Sequence, residues 1–453
     1  MRIHRSSPAA RTVAVLAGAS LFVTACGAGG GGGNGGAGGG GGESAAEVEG
    51  DSTGVTDTTI KIGTHKPLTG VAAPGYSEIP AGAQAYFDHV NAAGGVCGRQ
   101  IEYVVRDDAY NPTQTAQVTN QLVLQDEIFA MMGGLGTPTH SAVLDFLNEN
   151  QVPDLFVASG ALAWNDPETY PYTFGWQPDY RIEGKVLGQY IAENFPDAQV
   201  GLFGQGDDFG RDGFAGARQY LEDQIVAEET YTPGNTDVGP QISALQQAGA
   251  DLVISFSVPA YTALSQLTSL RLNYSPQWAY SNVGSDATLV GALLNNFSQG
   301  AVSDGEGLLE GAFTTAYIPT VEQTDNPWTQ TFQGIWDEQG GDGDLSNFKV
   351  YGMSQAYTMI SALTRICDNL NREALVAVLQ EQGSEFEGPW LAPLDYSDTS
   401  HRGISGVQVV QLEGGTPVER TDIFTVGAEE GAEPEAYTED PDEPTDDGIP
   451  SAG

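Results

Sequence analysis

The chain has few basic residues. Of its 453 residues, 17 are Lys or Arg and 60 are Asp or Glu, which gives a formal net charge of −43. Such a surface repels the phosphates of nucleic acids and the head groups of anionic lipids, so we expect neither as a primary partner. Two explanations of the charge stay open, namely adaptation to high salt, which screens self-repulsion, and an ordinary acidic extracellular protein.

Cysteine is also rare, with three in the whole chain. This number excludes a small scaffold that is held together by many disulfides. Cys26 stands apart near the N-terminus, which leaves Cys97 and Cys367 as an even pair. In an exported chain such a pair favours a disulfide, and two buried free thiols are the alternative.

The apolar stretch at the N-terminus, Val13 to Val23, is too short for a membrane-spanning helix. Three arginines precede it, which predicts a signal peptide over residues 1–25. The stretch runs into Thr24-Ala25-Cys26-Gly27, which resembles the lipobox of bacterial lipoproteins. We therefore expect Cys26 to be the lipidated first residue of the mature protein, with contact to the membrane through that anchor only. An ordinary secretory signal with a chance cysteine is the alternative.

Low-complexity segments lie at both ends of the chain. Residues 27–42 are almost pure glycine and residues 43–58 are polar, so we expect a flexible tether over residues 26–58. Residues 428–453 carry ten acidic residues and no basic one, which predicts a disordered acidic tail. The part between them is long enough for two domains.

Short apolar strands alternate with helical patterns through this central part, which predicts an α/β fold with parallel sheets covered on both faces. The alternation is clearest where the apolar run 128–132 leads into the glycine turn 133–136 and the next strand, 155–158, leads into Ser159-Gly160-Ala161. Open α/β sheets bind ligands at the carboxyl ends of their strands. The backbone N–H groups and hydroxyls of these two loops suit a carboxylate.

Aromatic residues cluster in predicted loops and helix starts near the same strand ends. Structural packing is the alternative for each of them alone. Together they favour a lined pocket. They are Tyr76, Trp164, Trp176, Tyr180 and Phe209.

Patterns for catalysis and for metal binding are missing. Residues 204–210 resemble a dinucleotide fingerprint, but the spacing is one residue too long and Asp207 and Asp208 would face the pyrophosphate. Asp107 and Asp108 have no neighbouring His or Cys, so capping and loop hydrogen bonds are favoured over acid/base or metal chemistry. We expect no enzyme, no cofactor and no metal site. The histidines of the mature chain are isolated in sequence and are expected on the surface or in packing roles: His65, His89, His140 and His401.

From about Ile60 to Val426 the chain resembles the leucine/isoleucine/valine-type (type I) solute-binding proteins of ABC importers. The tryptophan-containing segments are closer to the subset of that family that takes aromatic or other lipophilic carboxylates. The segments that carry the resemblance are weak individually and specific in this order: 91–95, Asp107-Asp108 with Pro112, 134–139, 158–161, 164–167, 175–178 and 207–210.

The resemblance implies a type I periplasmic binding protein fold, with two doubly wound lobes that each have a parallel-sheet core. Three crossing segments join the lobes, and we place them near Pro178, Leu308 and Ser400. The first lobe is then residues 59–178 with 309–400, and the second is residues 179–308 with 401–427. The implied role is that of an extracytoplasmic monomer that captures a small molecule in its cleft and delivers it to an ABC permease.

Two departures from the family bear on the ligand. Leu162 stands where amino-acid binders of the family have a Thr, and Asn282 stands where they have the acidic partner of the α-ammonium. Because a buried ammonium would lose that partner, an apolar or aromatic carboxylate is preferred over a branched-chain amino acid. The alternatives are branched-chain amino acid binding in the same role, a ligand-sensing receptor component and an exported α/β enzyme. The expected ligand-binding residues are Tyr76, Gly136, Thr137, Ser159, Gly160, Ala161, Trp176, Phe209 and Asn282.

Overall fold

The computed structural model describes residues 50–339, 341, 343–428 and 431–451. The expected signal peptide, the lipidation site Cys26 and the tether as far as residue 49 lie outside these residues. Within the described part of the chain, no helix is both long and apolar enough to cross a membrane.

The first half of the folded chain builds a parallel sheet of five strands in the order β2-β1-β3-β4-β5. Helices cover this sheet, so its central strands β3 and β4 are buried along their whole length. The elements are β1 (Thr59–Lys66), α1 (Ala73–Tyr76), α2 (Ile79–Ala92), β2 (Gln100–Asp107), α3 (Pro112–Leu124), β3 (Ala130–Met132), α4 (Thr137–Ser141), α5 (Leu144–Glu149), β4 (Asp154–Val157) and β5 (Thr173–Gly175).

The chain then builds the parallel part of a second sheet, in the order β10-β9-β8-β6-β7. Its elements are α6 (Tyr180–Asn194), β6 (Val200–Gln205), α7 (Asp208–Leu221), β7 (Ile225–Tyr231), α8 (Gly239–Ala248), β8 (Leu252–Phe256), α9 (Pro259–Leu272), β9 (Gln277–Tyr280), α10 (Ala287–Phe297) and β10 (Phe313–Ala316).

The last third of the chain adds helices beside the first sheet and strands to the second. Helices α11 and α12 pack on α2, and three antiparallel strands extend the second sheet beyond β10 in the order β13-β14-β15. The α/β fold with two parallel-sheet cores is thus confirmed. These elements are α11 (Pro327–Gln339), α12 (Asn347–Thr364), α13 (Arg372–Gln382), β11 (Leu394–Tyr396), β12 (His401–Ile404), β13 (Gly406–Glu413), β14 (Thr416–Val426) and β15 (Pro434–Tyr437).

The disulfide favoured by the sequence is present. Cys97 follows α2 and Cys367 follows α12, and their Cα atoms lie 5.2 Å apart. The bond therefore ties together two helices that pack on each other but stand 270 residues apart in the chain.

Two of the crossings between the lobes lie later in the chain than the positions predicted from the sequence. Strand β10 pairs with β9 and β13 of the second sheet, so the chain leaves that sheet after Ala316 and not near Leu308. Strand β12 still belongs to the first side, where the N–H of Ile404 donates to Trp176 O, so the last crossing follows Ile404 rather than Ser400. Nothing local in the sequence shows which sheet a strand joins.

Both ends of the described chain are more ordered than composition predicted. The last part of the expected tether docks on the fold, since Asp51 forms a 2.7 Å ion pair with Arg372. The expected disordered tail forms β15 on the edge of β14. It also accepts hydrogen bonds through backbone carbonyls, from Tyr86 to Gly448 O at 2.7 Å and from Trp328 to Asp442 O at 2.6 Å. The tail contacts the fold through its backbone, while its acidic side chains face solvent. A count of charges therefore does not predict this order.

His401 is a buried residue beside the last crossing. Its ring stacks on Phe174 with centroids 3.6 Å apart, its Nδ1–H donates to Thr173 O at 2.8 Å, and its Nε2 accepts from Gln380 Nε2 at 3.0 Å. A second proton on Nε2 would face another donor. Burial lowers the pKa of His401 to about 4.

This environment predicts a pH dependence of stability. An unfolded histidine titrates near pH 6.5, so acidification from pH 6.5 towards pH 4 protonates the unfolded chain first and removes stability. Between pH 7 and pH 4.5, the native protein should lose roughly 2–3 kcal/mol more unfolding free energy than His401→Gln. Denaturant unfolding of both proteins at the two pH values measures this difference, and equal losses would contradict it.

Candidate ligand-binding site

A cavity of about 170 Å³ lies between the two sheets. Its lining comes from loops that follow strands of both sheets, among them Gly136 after β3, Ala158 after β4, Phe209 after β6 and Asn282 after β9. This is the position expected for a ligand in open parallel sheets. A space of this size holds on the order of ten water molecules, hence a small organic ligand.

The glycine loop after β3 forms the wall on the side of the first sheet. Gly136 has φ of +97°, and a Cβ there would lie 2.4 Å from the ring of Tyr110, so only glycine fits. Thr137 follows as the first residue of α4, and its N–H has no carbonyl one turn earlier to bond. The Thr137 hydroxyl lies 2.8 Å from the Ser159 hydroxyl of the neighbouring loop. The two loops therefore meet, and Thr137 presents to the cavity a backbone N–H and a hydroxyl that is shared with Ser159.

Tyr110 enters the cavity from a strained turn. Its φ is +57°, a conformation that side-chain-bearing residues rarely adopt. Carboxylates hold the turn, since Asp108 accepts from the N–H of Tyr110 at 2.8 Å and Asp107 accepts from the N–H of Ala109 at 2.9 Å. The expectation that these aspartates make loop hydrogen bonds is thus confirmed. The Tyr110 hydroxyl in turn accepts from Gln205 of the second sheet at 3.2 Å.

Aromatic rings form most of the remaining wall. Tyr76 and Tyr317 are each 7% exposed, and their hydroxyls have no hydrogen-bond partner among the described residues. Burial raises the pKa of both, so these hydroxyls stay protonated and can donate to a ligand. The aromatic lining comprises Tyr76, Tyr110, Tyr180, Phe209, Tyr317, Phe348 and Tyr351.

A buried carboxylate, Glu183, fixes the wall on the side of the second sheet. Its side chain accepts from Asn282 N at 2.6 Å, Asn282 Nδ2 at 2.8 Å, Thr315 Oγ1 at 2.6 Å and Ser281 Oγ at 2.8 Å. Burial raises the pKa of Glu183, and these hydrogen bonds oppose that effect. Glu183 thus holds Asn282 and Thr315 in the cavity wall without reaching the cavity itself.

The charged residues of the described lining are both acidic. Asp286 and Glu322 share the amide of Asn347, whose Nδ2 lies 3.0 Å from Asp286 Oδ2 and 3.3 Å from either oxygen of Glu322. No Lys, Arg or His belongs to the described lining. In the described part of the chain, no group of three or more His, Cys, Asp or Glu could hold a metal ion.

Comparison with known proteins assigns the family. Residues 59–416 match the family described as periplasmic binding protein, which is more than half of the chain. The chain belongs to that family. A curated relative is the leucine-, isoleucine-, valine-, threonine- and alanine-binding protein of Pseudomonas aeruginosa, 29% identical over 202 residues. This match covers 43% of the chain and 52% of the relative, so the chain spans about half the length of the curated relatives it matches.

Solved structures share the fold. A branched chain amino acid ABC transporter protein from Thermus thermophilus with bound valine has a TM-score of 0.70 at 21% identity, covering 82% of this chain and 97% of that one. A fatty acid ABC transporter substrate-binding protein from Thermomonospora curvata has a TM-score of 0.70 at 22% identity, covering 82% and 93%. At such identities the likeness concerns the fold alone.

The fold brings five of the nine predicted site residues to the cavity and leaves four behind its wall. Trp176 is fully buried and donates its indole N–H to Thr358 Oγ1 at 3.0 Å, so it supports the rings of Tyr317 and Tyr351 from behind. That the lining residues bind ligand stays a prediction. The predicted site residues that line the cavity are Tyr76, Gly136, Thr137, Phe209 and Asn282. The predicted site residues that lie behind the lining are Ser159, Gly160, Ala161 and Trp176.

The second loop is used internally instead. Ser159 bonds Thr137 and lies 3.3 Å from the Tyr180 hydroxyl, while Gly160 O accepts from the N–H of Tyr180 at 2.8 Å. Trp164 also belongs to this packing, since its indole N–H donates to Ser159 O at 2.8 Å. The sequence predicted this loop, but it did not show that the polar groups of the loop would form hydrogen bonds with Tyr180.

Two histidines that are isolated in sequence meet beneath the glycine loop. His65 Nδ1 lies 2.7 Å from Asp108, His65 Nε2 lies 3.1 Å from His140 Nδ1, and His140 Nε2 lies 2.8 Å from Asp154. All four side chains are fully buried. A Cβ on Gly134 would lie 2.4 Å from the ring of His140, so the loop rests directly on the pair. These two histidines therefore have the packing role that was expected, although they form one hydrogen-bonded pair and are not isolated in the fold.

The role of Glu183 can be tested by Glu183→Gln. The glutamine amide would place a donor against the donors of Asn282 and Thr315, so the free energy of unfolding should fall by about 1–3 kcal/mol. Glu193→Gln, an exposed change on the same helix, is the matched control and should leave stability unchanged. Denaturant unfolding measures both. Equal stability of the two variants would show that Glu183 does not hold Asn282 and Thr315 in place.

Proposed function

We propose that this protein is the solute-binding component of an ABC importer, anchored outside the cytoplasm by a lipid on Cys26 and working as a monomer. The observation that carries the proposal is the aromatic cavity between the two sheets. The family, and the relatives that are named as binding proteins, point the same way. The ligand we propose is a small apolar or aromatic carboxylate.

The carboxylate end belongs at the glycine loop. Thr137 offers a hydroxyl and a backbone N–H there, and no acidic side chain of the lining lies on that loop. Neutral donors suffice for a carboxylate when several converge, because each hydrogen bond to a charged group contributes roughly 1.5–3 kcal/mol. Tyr180 and Phe209, whose ring centroids lie 4.4 Å apart, offer an apolar surface for the body of the ligand.

Closure of the two halves around the ligand completes the site. Three contacts between the sheets support a closed state, namely Tyr110 with Gln205, the N–H of Leu162 with Asp212 at 2.9 Å, and Asn347 with Asp286. A ligand that touches both walls binds the closed form more tightly and shifts the population towards it. A permease can then recognise the closed form.

A branched-chain amino acid is the second candidate. Asp286 and Glu322 in the lining are carboxylates that could pair with an ammonium group. Asn282 carries no charge and could not. The Pseudomonas aeruginosa relative, named for leucine, isoleucine and valine among its ligands, supports the same candidate. Asn282 does not separate the two classes cleanly, because an aspartate there would stand against Glu183.

Asp286→Asn separates the two ligand classes. Asparagine still caps α10, as Asp286 does by accepting from the N–H of Leu289 at 2.7 Å. Asn347 loses Asp286 as an acceptor and keeps Glu322. That loss applies to both ligands, so the comparison between them isolates the charge. Affinity for phenylacetate should rise or stay equal, because a like charge leaves the cavity. If an amino acid is the ligand, affinity for leucine should fall by about tenfold or more, as for a charged hydrogen bond.

Isothermal titration of the native protein and the variant with both compounds decides between the candidates. Asp304→Asn, an exposed aspartate in the same half that does not line the cavity, is the matched control. Tight leucine binding by the native protein without phenylacetate binding would overturn the carboxylate preference. Binding of neither compound nor of related acids would count against the importer role itself.

The anchor is tested separately by Cys26→Ala. Without the thiol no lipid can be attached, so the protein should move from the membrane fraction into the medium. Immunoblots of both fractions from cells that express the native and the altered chain measure the shift. Cys367→Ala is the control for loss of a cysteine and should remain in the membrane fraction. Membrane retention of Cys26→Ala would exclude this residue as the anchor.

A further inference from the structure

The cavity does not end at the cleft but continues around strand β10. Thr314 and Thr315 both line it, and consecutive residues of a strand point to opposite faces of the sheet. Thr315 faces α6, where its hydroxyl donates to Glu183. Thr314 therefore faces the other side, and the cavity reaches that side around the end of β10 at Ala316.

The β13–β14 hairpin walls this second part, which we call the hairpin compartment. Val410 is paired with Thr314 across β10 and β13, and Leu412, two residues further along, shares the same face. Both side chains are 3% exposed. The compartment is lined by Ala287, Thr314, Val410, Leu412 and Pro417. All five are uncharged, and four are apolar.

The compartment is long and its wall is well supported. The N–H of Leu412 donates to Ala312 O at 2.9 Å, so Leu412 lies level with Ala312. Ala312 is four residues before Ala316, where β10 ends. At about 3.3 Å per residue, the compartment adds roughly 13 Å to the cleft. Leu412 is paired with Pro417 across β13 and β14, and β13 is paired with β10, so this part of the hairpin belongs to the sheet and is not a free loop.

We propose that the hairpin compartment receives the apolar tail of an elongated ligand. The ligand class is then an extended or straight-chain monocarboxylate and not a compact amino acid, whose side chain would leave the compartment empty. This inference rests on the proposed function, because it takes the carboxylate to lie at Thr137. The tail passes the end of β10 and lies between Ala287 on one side and Leu412 on the other.

The test is to fill the compartment and compare acids of different length. Leu412→Trp fills it from the hairpin, and Ala287→Leu fills it more gently from α10. Thr416→Trp, on the exposed turn of the same hairpin, adds the same ring outside the cavity and is the control. Thermal unfolding of each variant first verifies the fold. Calorimetric titration then uses hexanoate, decanoate and leucine.

In the native protein, affinity should rise about fourfold for each methylene between hexanoate and decanoate. In Leu412→Trp and Ala287→Leu the ratio of decanoate affinity to hexanoate affinity should fall towards one. Thr416→Trp should keep that gain. An affinity that does not rise with chain length, or filled variants that keep the full decanoate affinity, would overturn the inference while hexanoate or leucine binding still supports the proposed function. Binding of none of the three by the native protein would reject both.

Discussion

The cavity depends on one buried carboxylate. Glu183 sits under the second wall with no exposed surface, and removing a carboxylate from water costs several kcal/mol unless donors replace the lost hydration. Ser281, Asn282 and Thr315 supply those donors, from the ends of two neighbouring strands and from the turn between β9 and α10. Because these residues must stay in place to satisfy Glu183, the wall that faces the ligand is fixed before a ligand arrives.

The first wall rests on a comparable buried network. Buried contacts link Asp108, His65, His140 and Asp154 into one chain, with successive distances of 2.7, 3.1 and 2.8 Å. Lys66 lies beside them and donates to Gly133 O, and burial lowers its pKa to about 7 while Asp108 opposes that shift. The glycine loop that carries Thr137 lies on top of this network.

Local patterns predicted the alternation of strands and helices, the glycine loops and the cysteine pair, because each is encoded by a few neighbouring residues. Contacts between distant segments were not predictable in this way. His65 and His140 stand 75 residues apart, and Trp176 finds its partner Thr358 182 residues later. Trp176 was expected in the pocket because it lies near a strand end, and only the path of α12 shows that it is a core residue. Glu183 gave one usable signal, an acidic residue among the buried positions of α6.

The central claim is that a small carboxylate is held between the two sheets by both walls at once. A crystal structure of the protein grown with decanoate tests it most directly. The account predicts density that starts at the Thr137 N–H and hydroxyl, runs along the surface formed by Phe209 and Tyr180, and turns around Ala316 towards Leu412. Density for the ligand outside the cavity, or with its carboxylate at Asp286 instead of Thr137, would contradict it.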